Sequence, residues 1–254
     1  MAPYFENDSG VLYCGDCFEI LPELDIMSDM VLTDMPYNTT DCEWDIAIPL
    51  DKLWIELKRI AKDNAAFVMT GSQPFTTDLI NSNRKDFKYE WIWEKSRPTN
   101  QMLARKQVLK SHENILVFGK KDMKYNPQMW KGYKNHGTKE GVTKQRYLNR
   151  ISTFPINVSD IKYPRSVIKI LSLNPFDYLH PTQKPVELFD YLIRTYTDES
   201  ETCLDPFAGS STTAIAAIRT GRRYVCIEKE EKYCGISVKR ILKETEQFKL
   251  EGMI

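Results

Sequence analysis

Met30-Val31-Leu32-Thr33 is one of several short apolar runs that fix the class of fold open to this chain. Such a run is too short for a buried helix, and it lacks the alternation of a strand with one wet face. It reads as a strand covered on both sides. Similar runs recur at Ala65–Met69, Thr202–Leu204 and Tyr224–Ile227, with helical stretches between them. Leu53, Trp54, Leu57 and Ile60 mark one helix, from about Leu50 to Ala61, and Pro74 suits the first turn of another. Further helices read over about Phe18–Leu24, Val186–Thr197, Ser211–Thr220 and Glu230–Phe248, and further strands over Val11–Tyr13, Phe87–Trp93 and Asn114–Phe118. Strands alternating with helices predict an α/β fold whose largely parallel sheet is covered on both faces. A chain of 254 residues suits one such domain.

The composition, 42% hydrophobic and 28% charged, is that of a water-soluble globular protein. No run approaches the roughly 18 apolar residues of a membrane span. The first residues carry acids and no basic leader, so the expectation is a cytoplasmic protein with no membrane partner. Of the six cysteines only Cys14-Gly15-Asp16-Cys17 has a suggestive spacing. It lacks a second pair or a His partner, so ordinary reduced thiols are expected and no metal site.

Net charge is zero, yet the charges are segregated. From Lys95 to Lys184 there are 18 Lys and Arg against 5 Asp and Glu, and the remainder balances this +13 with −13. Within that stretch, from about Gly119 to Asn174, periodicity dissolves into Lys, Arg, Tyr, Asn, Gly and Pro. This reads as an inserted region, 119–174, inside a domain that otherwise spans 1–254. A basic segment in a neutral protein suits either a polyanion along one face or a solvated loop.

Two motifs sit at strand ends. Leu204-Asp205-Pro206-Phe207-Ala208-Gly209-Ser210-Ser211 opens a helix, where α/β folds hold nucleotide-like ligands. Its small residues let backbone approach a ligand closely. Glu228 ends the next strand, placed to accept hydrogen bonds from ribose hydroxyls. The loop lacks the Lys of a phosphate-binding loop, and Asp205 would repel a pyrophosphate. A cofactor with a cationic methionine part fits better than ATP or NAD. The second motif, Asp34-Met35-Pro36-Tyr37, ends the run at Thr33.

Together these motifs resemble the amino-methyltransferases that modify adenine N6 or cytosine N4 in DNA. That family's cofactor loop is Asp-Pro-Phe-x-Gly-Ser/x-Gly. Asp205, Pro206, Phe207 and Gly209 match it, and Ser211 stands where a second glycine is common. The resemblance implies S-adenosylmethionine as cofactor, with Asp16 at its adenine. The segment His180-Pro181-Thr182-Gln183-Lys184-Pro185 places Thr182, Gln183 and Lys184 near its methionine end. Trp91–Lys95, Ser111–Phe118 and Thr39–Asp45, including Trp44, are similar to the family as well. The order of the motifs, catalytic loop before cofactor loop, resembles the beta group. It implies a Rossmann-like class I methyltransferase domain with a circularly permuted, mostly parallel seven-stranded sheet and a DNA target-recognition region at 119–174. Lys120, Lys121, Lys124, Lys131, Lys134, Lys139, Lys144, Arg146, Arg150, Lys162 and Arg165 would then chiefly meet phosphates.

The chemistry explains the residue types at Asp34–Tyr37. An exocyclic amine is a poor nucleophile because its lone pair is conjugated into the ring. A carboxylate and a backbone carbonyl that accept its N–H bonds draw the nitrogen toward tetrahedral geometry, and proline stiffens the turn that holds them. Asp34, the Met35 carbonyl, Pro36 and a Tyr37 ring stacked on a flipped base supply those parts. The expected reaction is direct in-line transfer of a methyl group from S-adenosylmethionine, with no covalent enzyme intermediate. The family's usual form is Asp-Pro-Pro-Tyr, so Met35 departs from it while keeping the carbonyl. Asp at the first position favours adenine N6 over cytosine N4. A catalytically silent DNA-binding homologue is the alternative of another class. Double-stranded DNA is the expected partner and single strands the second. A homodimer and a restriction endonuclease companion are left open by the resemblance.

Overall fold

The computed structural model describes residues 2–37, 47–134, 143–145, 150–152, 160–174, 179–180 and 183–251. The first half of the main body contains β1 (Phe5–Asn7), β2 (Gly10–Cys14), α1 (Cys17–Ile20), β3 (Ser28–Thr33), α2 (Leu50–Arg59), β4 (Ala61–Gly71), α3 (Phe75–Ser82), β5 (Phe87–Thr99) and β6 (Lys110–Phe118). A second compact unit, Pro127–Arg165, holds β7 (Trp130–Lys131), β8 (Thr143–Gln145), β9 (Arg150–Ser152) and β10 (Ile161–Lys162). The main body resumes with β11 (Val167–Ile170), α4 (Val186–Tyr196), β12 (Thr202–Asp205), α5 (Thr212–Arg219), β13 (Arg223–Glu228) and α6 (Glu231–Glu251).

The main sheet has nine strands in the order β1-β2-β13-β12-β3-β4-β6-β5-β11. Its seven central strands are those expected, and the short β1 and β11 extend its two edges. β2, β13, β12, β3 and β4 run parallel, and β6 is antiparallel to both β4 and β5. The period of two explains why β3 is apolar throughout. Met30 and Leu32 enter the core cluster under α4 and α5, while Val31 enters the one under α2 and α3. Cys203 and Leu204 of β12 divide in the same way. Helices therefore cover both faces, as a parallel sheet demands. Among the described residues no helix is long and apolar enough to cross a membrane.

Local differences from the expected elements have physical causes. The helix expected over Phe18–Leu24 is α1 followed by a 3-10 turn at Leu21–Glu23, because Pro22 lacks the N–H that would continue it. β5 runs beyond Trp93 to Thr99, and β6 starts at Lys110. The compact second unit is narrower than 119–174. Met123 packs on the main core, Lys124 bridges Asp198 (2.7 Å) and Glu201 (2.5 Å), and β11 pairs with β5. Inside the second unit β7 pairs with β10 and β8 with β9. There Trp130 donates to the Tyr163 carbonyl (3.1 Å), and the Arg165 guanidinium lies 5.5 Å from the Trp130 ring centre.

Candidate active site

Three parallel neighbours, β3, β12 and β13, end at one edge of the sheet and deliver Asp34, Asp205 and Glu228 there. Ligands of open α/β sheets sit outside this carboxyl edge. The first two strand ends are tied together: the Thr33 hydroxyl donates to Asp205 Oδ1 at 2.7 Å. Asp34, His180, Gln183, Lys184, Phe189, Asp205, Phe207, Ala208, Gly209, Ser210 and Thr212 line a single pocket. Two motifs 172 residues apart at their Thr33–Asp205 contact thus form one site.

Asp34 is held by three donors. Tyr37 donates its hydroxyl to Oδ1 at 2.5 Å, Thr70 donates to the same oxygen, and Lys184 Nζ meets Oδ2 at 2.5 Å. The Tyr37 and Thr70 hydroxyls are themselves 2.7 Å apart. Tyr37 stacks on Phe75 with ring centres 5.1 Å apart. Burial first, and then the charges of Asp34 and Glu113, hold the Tyr37 phenol well above its usual range, so it remains a donor. Met35 is buried in the core cluster under α2 and α3. Its side chain is spent on packing, which leaves the peptide carbonyl as the group free for chemistry at that position.

Lys184 was expected beside the cofactor or on the surface. It is buried and faces Asp34, and it also lies 3.3 Å from Glu113, which meets Lys95 at 2.6 Å. The result is an alternating row, Lys95, Glu113, Lys184 and Asp34, in a poorly solvated place. Burial works against the charge on Lys184, but Asp34 and Glu113 outweigh it and raise its pKa, so it stays cationic. Burial likewise would raise Glu113, yet Lys184 and Lys95 hold it below the usual carboxylate range.

The cofactor-type loop is built from backbone geometry that its small residues permit. Gly209 has φ +54 and Ser211 φ 58, both left-handed. A Cβ on Gly209 would lie 3.6 Å from the His180 ring, an ordinary contact, so dihedral angle rather than space calls for glycine. The Gly209 amide donates to Glu228 Oε2 (2.7 Å), and the Glu230 amide to Oε1 (2.8 Å). Ser210 donates to Gln183 Oε1 (3.2 Å), and Arg240 caps the Ser210 carbonyl. Asp205 accepts from Thr33, Thr213 and the Phe207 amide. Burial pushes Asp205 up to about 6 and Glu228 up to about 7. Burial also takes His180 down to about 4, keeping it neutral.

Asp16 stands apart from this pocket lining. It caps α1 through the Phe18 amide (2.9 Å) and meets Lys229 at 3.0 Å, which places it beside the end of β13. Pro206 lies in the Asp205–Phe207 turn. Thr182 and Trp44 lie outside the described residues, as do the side chains of Lys139, Lys144, Arg146 and Arg150. Lys120 pairs with Asp63 (2.5 Å), so it and Lys124 are already engaged by acids of the main body. Sequence reasoning missed Lys95, Glu113, Thr70 and Arg240 as site residues. Lys95 and Glu113 lie where β5 and β6 pass beyond β4, Thr70 near the end of β4 and Arg240 on a distant helix, places that no local motif marks.

Proteins of one family resemble this chain along most of its length. The profile of a family described as DNA methylase, of the N6/N4 type, matches residues 28–239. Type II methyltransferase M2.LlaDCHI of Lactococcus lactis subsp. cremoris is 26% identical over 271 residues, covering 95% of this chain and 92% of its own length. Type II methyltransferase M2.DpnII of Streptococcus pneumoniae is 26% identical, over 96% and 94% respectively. Among solved structures, M1.HpyAVI in complex with SAM superposes with a TM-score of 0.64 at 23% identity, over 91% of this chain and 98% of that one. The cytosine-N4-specific PvuII DNA methyltransferase gives a TM-score of 0.64 at 16% identity, over 97% and 94%.

Proposed function

Since this chain belongs to the DNA methylase family and has the class I methyltransferase fold, we propose that it moves a methyl group from S-adenosylmethionine to adenine N6 at a specific site in DNA. The observation that carries this reading is the convergence of Asp34 and Asp205 on one pocket. A carboxylate offers about four acceptor positions. Two on Oδ1 are taken by Tyr37 and Thr70 and one on Oδ2 by Lys184, which leaves one on Oδ2 for the amine. The Met35 carbonyl accepts the second N–H. Tyr37 holds the carboxylate with its hydroxyl and offers ring surface to the base. Catalysis is then chiefly positioning.

The pocket suits the cofactor. Two buried carboxylates with raised pKa values, Asp205 and Glu228, favour a ligand that brings hydroxyl donors or positive charge. Gly209, left-handed and without a Cβ, lets a ligand come close to the pocket wall there. When bound, S-adenosylmethionine supplies an electrophilic methyl on a sulfonium. Asp205, Phe207, Gly209, Ser211, Gln183 and Glu228 would hold it, with Asp16 beyond β13.

Asp at the first position of the catalytic loop supports adenine over cytosine N4. The same scaffold serves both bases, and cytosine N4 is the second reading. The motif order supports the beta group, and the basic second unit Pro127–Arg165 supports a role in target recognition. The Type II methyltransferases among the relatives support a role in restriction-modification, with a restriction endonuclease as companion. Methylation-aware sequencing of DNA from cells expressing the protein tests base, position and site together. Asp34→Ala should abolish methylation while cofactor affinity is retained. Wild-type turnover in that variant would overturn the mechanism, and absence of label on any DNA would favour a silent DNA-binding homologue.

A further inference from the structure

β5 and β6 run past the end of the sheet. Gly71, the last paired residue of β4, stands opposite Asn114, and Asn114 stands opposite Ile92. Residues 93–113 therefore overhang β4. They do so at the carboxyl edge that carries Asp34, Asp205 and Glu228, because β5 runs in the same direction as the parallel strands. At the root of this arm Lys95 meets Glu113 at 2.6 Å, and Glu113 lies 3.3 Å from Lys184. The arm thus rises from the rim of the pocket.

Its composition is one-sided. Between Glu94 and Glu113 there is no acid, while Lys95, Arg97, Arg105, Lys106 and Lys110 supply positive charge. The tip is an ordered turn rather than a loose loop. Asn100 is left-handed (φ 68), Leu103 N donates to the Asn100 carbonyl (2.9 Å), and Lys106 N donates to the Leu103 carbonyl (2.8 Å). On it Met102 is fully exposed, Val108 88% exposed and Leu103 42% exposed. Large apolar side chains exposed on a cationic tip gain nothing from water. Their surroundings favour a polyanion with an apolar interior over an apolar protein face. From Lys95 to Thr99 a strand rises roughly 13 Å, similar to the ~12 Å width of a DNA major groove. Lys110 is half-buried, and burial and the nearby Lys95 and Lys184 together pull its pKa down against the pull of Glu113. An anion there relieves that crowding.

We propose that the β5–β6 arm is a DNA-contacting element distinct from the second unit. Arg105, Lys106 and Lys110 meet phosphates beside the target nucleotide, and Met102, Leu103 and Val108 enter the stack as the base leaves it. This rests on the methyltransferase reading above. Two variants test it, both altering exposed side chains: Met102→Ser with Val108→Ser, and Arg105→Gln with Lys106→Gln. Substrates are an unmethylated phage DNA duplex and the same DNA heat-denatured, with labelled S-adenosylmethionine. The serine pair should lose about tenfold in kcat/KM on duplex and less than about twofold on denatured DNA, where little stacking resists the wedge. The glutamine pair should lower the salt slope of duplex binding by about 2. Equal losses on both DNAs, or no loss, overturn the proposal. So does a serine pair that only converts a dimer to a monomer. If the wild-type chain labelled neither DNA, the methyl-transfer reading would fail. Duplex affinity of the glutamine pair would still judge the arm, since equality with wild type at low salt overturns it.

Discussion

Lys184 Nζ lies 2.5 Å from Asp34 Oδ2, joining residues 150 positions apart. The contact puts a buried cation on the carboxylate proposed to draw on the amine. Glu113 shares that cation, and Lys95 shares Glu113, so positive and negative charges alternate through the row. Such a row fixes a carboxylate's orientation without leaving an unpaired charge in a dry place.

Lys184→Met should therefore lower kcat about a hundredfold while cofactor affinity changes less than about threefold. It also strands Asp34 and Glu113 without their shared partner and should cost about 3 kcal/mol of stability. Adding Glu113→Gln removes one stranded charge. The double variant should regain much of the melting temperature and little of the rate. Single-turnover methylation and thermal melts measure both. A double variant with wild-type turnover would show that Lys184 serves stability alone.

That contact shows where the sequence stops being legible. β3 was readable because Met30, Val31 and Leu32 are buried by helices on both faces, and burial leaves its mark in composition. The turn at Gly209–Ser211 was readable because its left-handed backbone selects small residues. The β5–β6 arm was not, since apolar alternation ends at Trp93, where the strands leave the cover of the helices, and Pro98 further breaks the pattern. β11 was hidden for a related reason: Val167–Ile170 is an edge strand with exposed Val167. The Lys95–Glu113–Lys184–Asp34 row depends on distances between chain-remote side chains. No local periodicity encodes such distances.

Glu228 gives a pH prediction with a definite sign. Its ordinary pKa is 4.5, and burial raises it to about 7 in the folded chain. Between those values the folded chain holds a proton that the unfolded chain has released. The contribution of Glu228 to stability therefore falls as pH rises through that window. Ribose hydroxyls donate to the ionised form, so cofactor binding should expel this proton, and affinity should rise between about pH 6 and 7 by up to about tenfold per unit and level off above that. Asp205, raised to about 6, titrates lower. Calorimetric titration in buffers of different ionisation enthalpy reads the proton directly. Glu228→Gln should abolish the slope in affinity.

Ser211 holds φ 58 at the N-cap of α5, a conformation that disfavours any residue with a Cβ. Ser211→Gly should stabilise the protein by about 1 kcal/mol and retain cofactor binding, because only the backbone conformation matters there. Ser211→Val should destabilise it, as a β-branched residue is poorest in that region. Denaturant melts of the three proteins decide the matter. A glycine variant less stable than wild type would mean that the buried hydroxyl outweighs the strain.

Tyr37 has two roles in this site that substitution separates. Its hydroxyl meets Asp34 at 2.5 Å, and its ring stacks on Phe75. Tyr37→Phe keeps the ring and loses one donor to Oδ1, so Thr70 and Lys184 still hold the carboxylate. The expected loss in kcat is about tenfold, near the value of one charge-assisted hydrogen bond. Tyr37→Ala also removes the stacking surface and should cost a further factor of roughly ten or more, seen chiefly with duplex DNA, where the base must be held outside the stack. Thr70→Val together with Tyr37→Phe empties Oδ1 of both donors and should approach Asp34→Ala in rate while the fold persists. The pattern is read from kcat on duplex and denatured DNA side by side. Equal turnover for Tyr37→Phe and Tyr37→Ala would leave the ring without a part in holding the base.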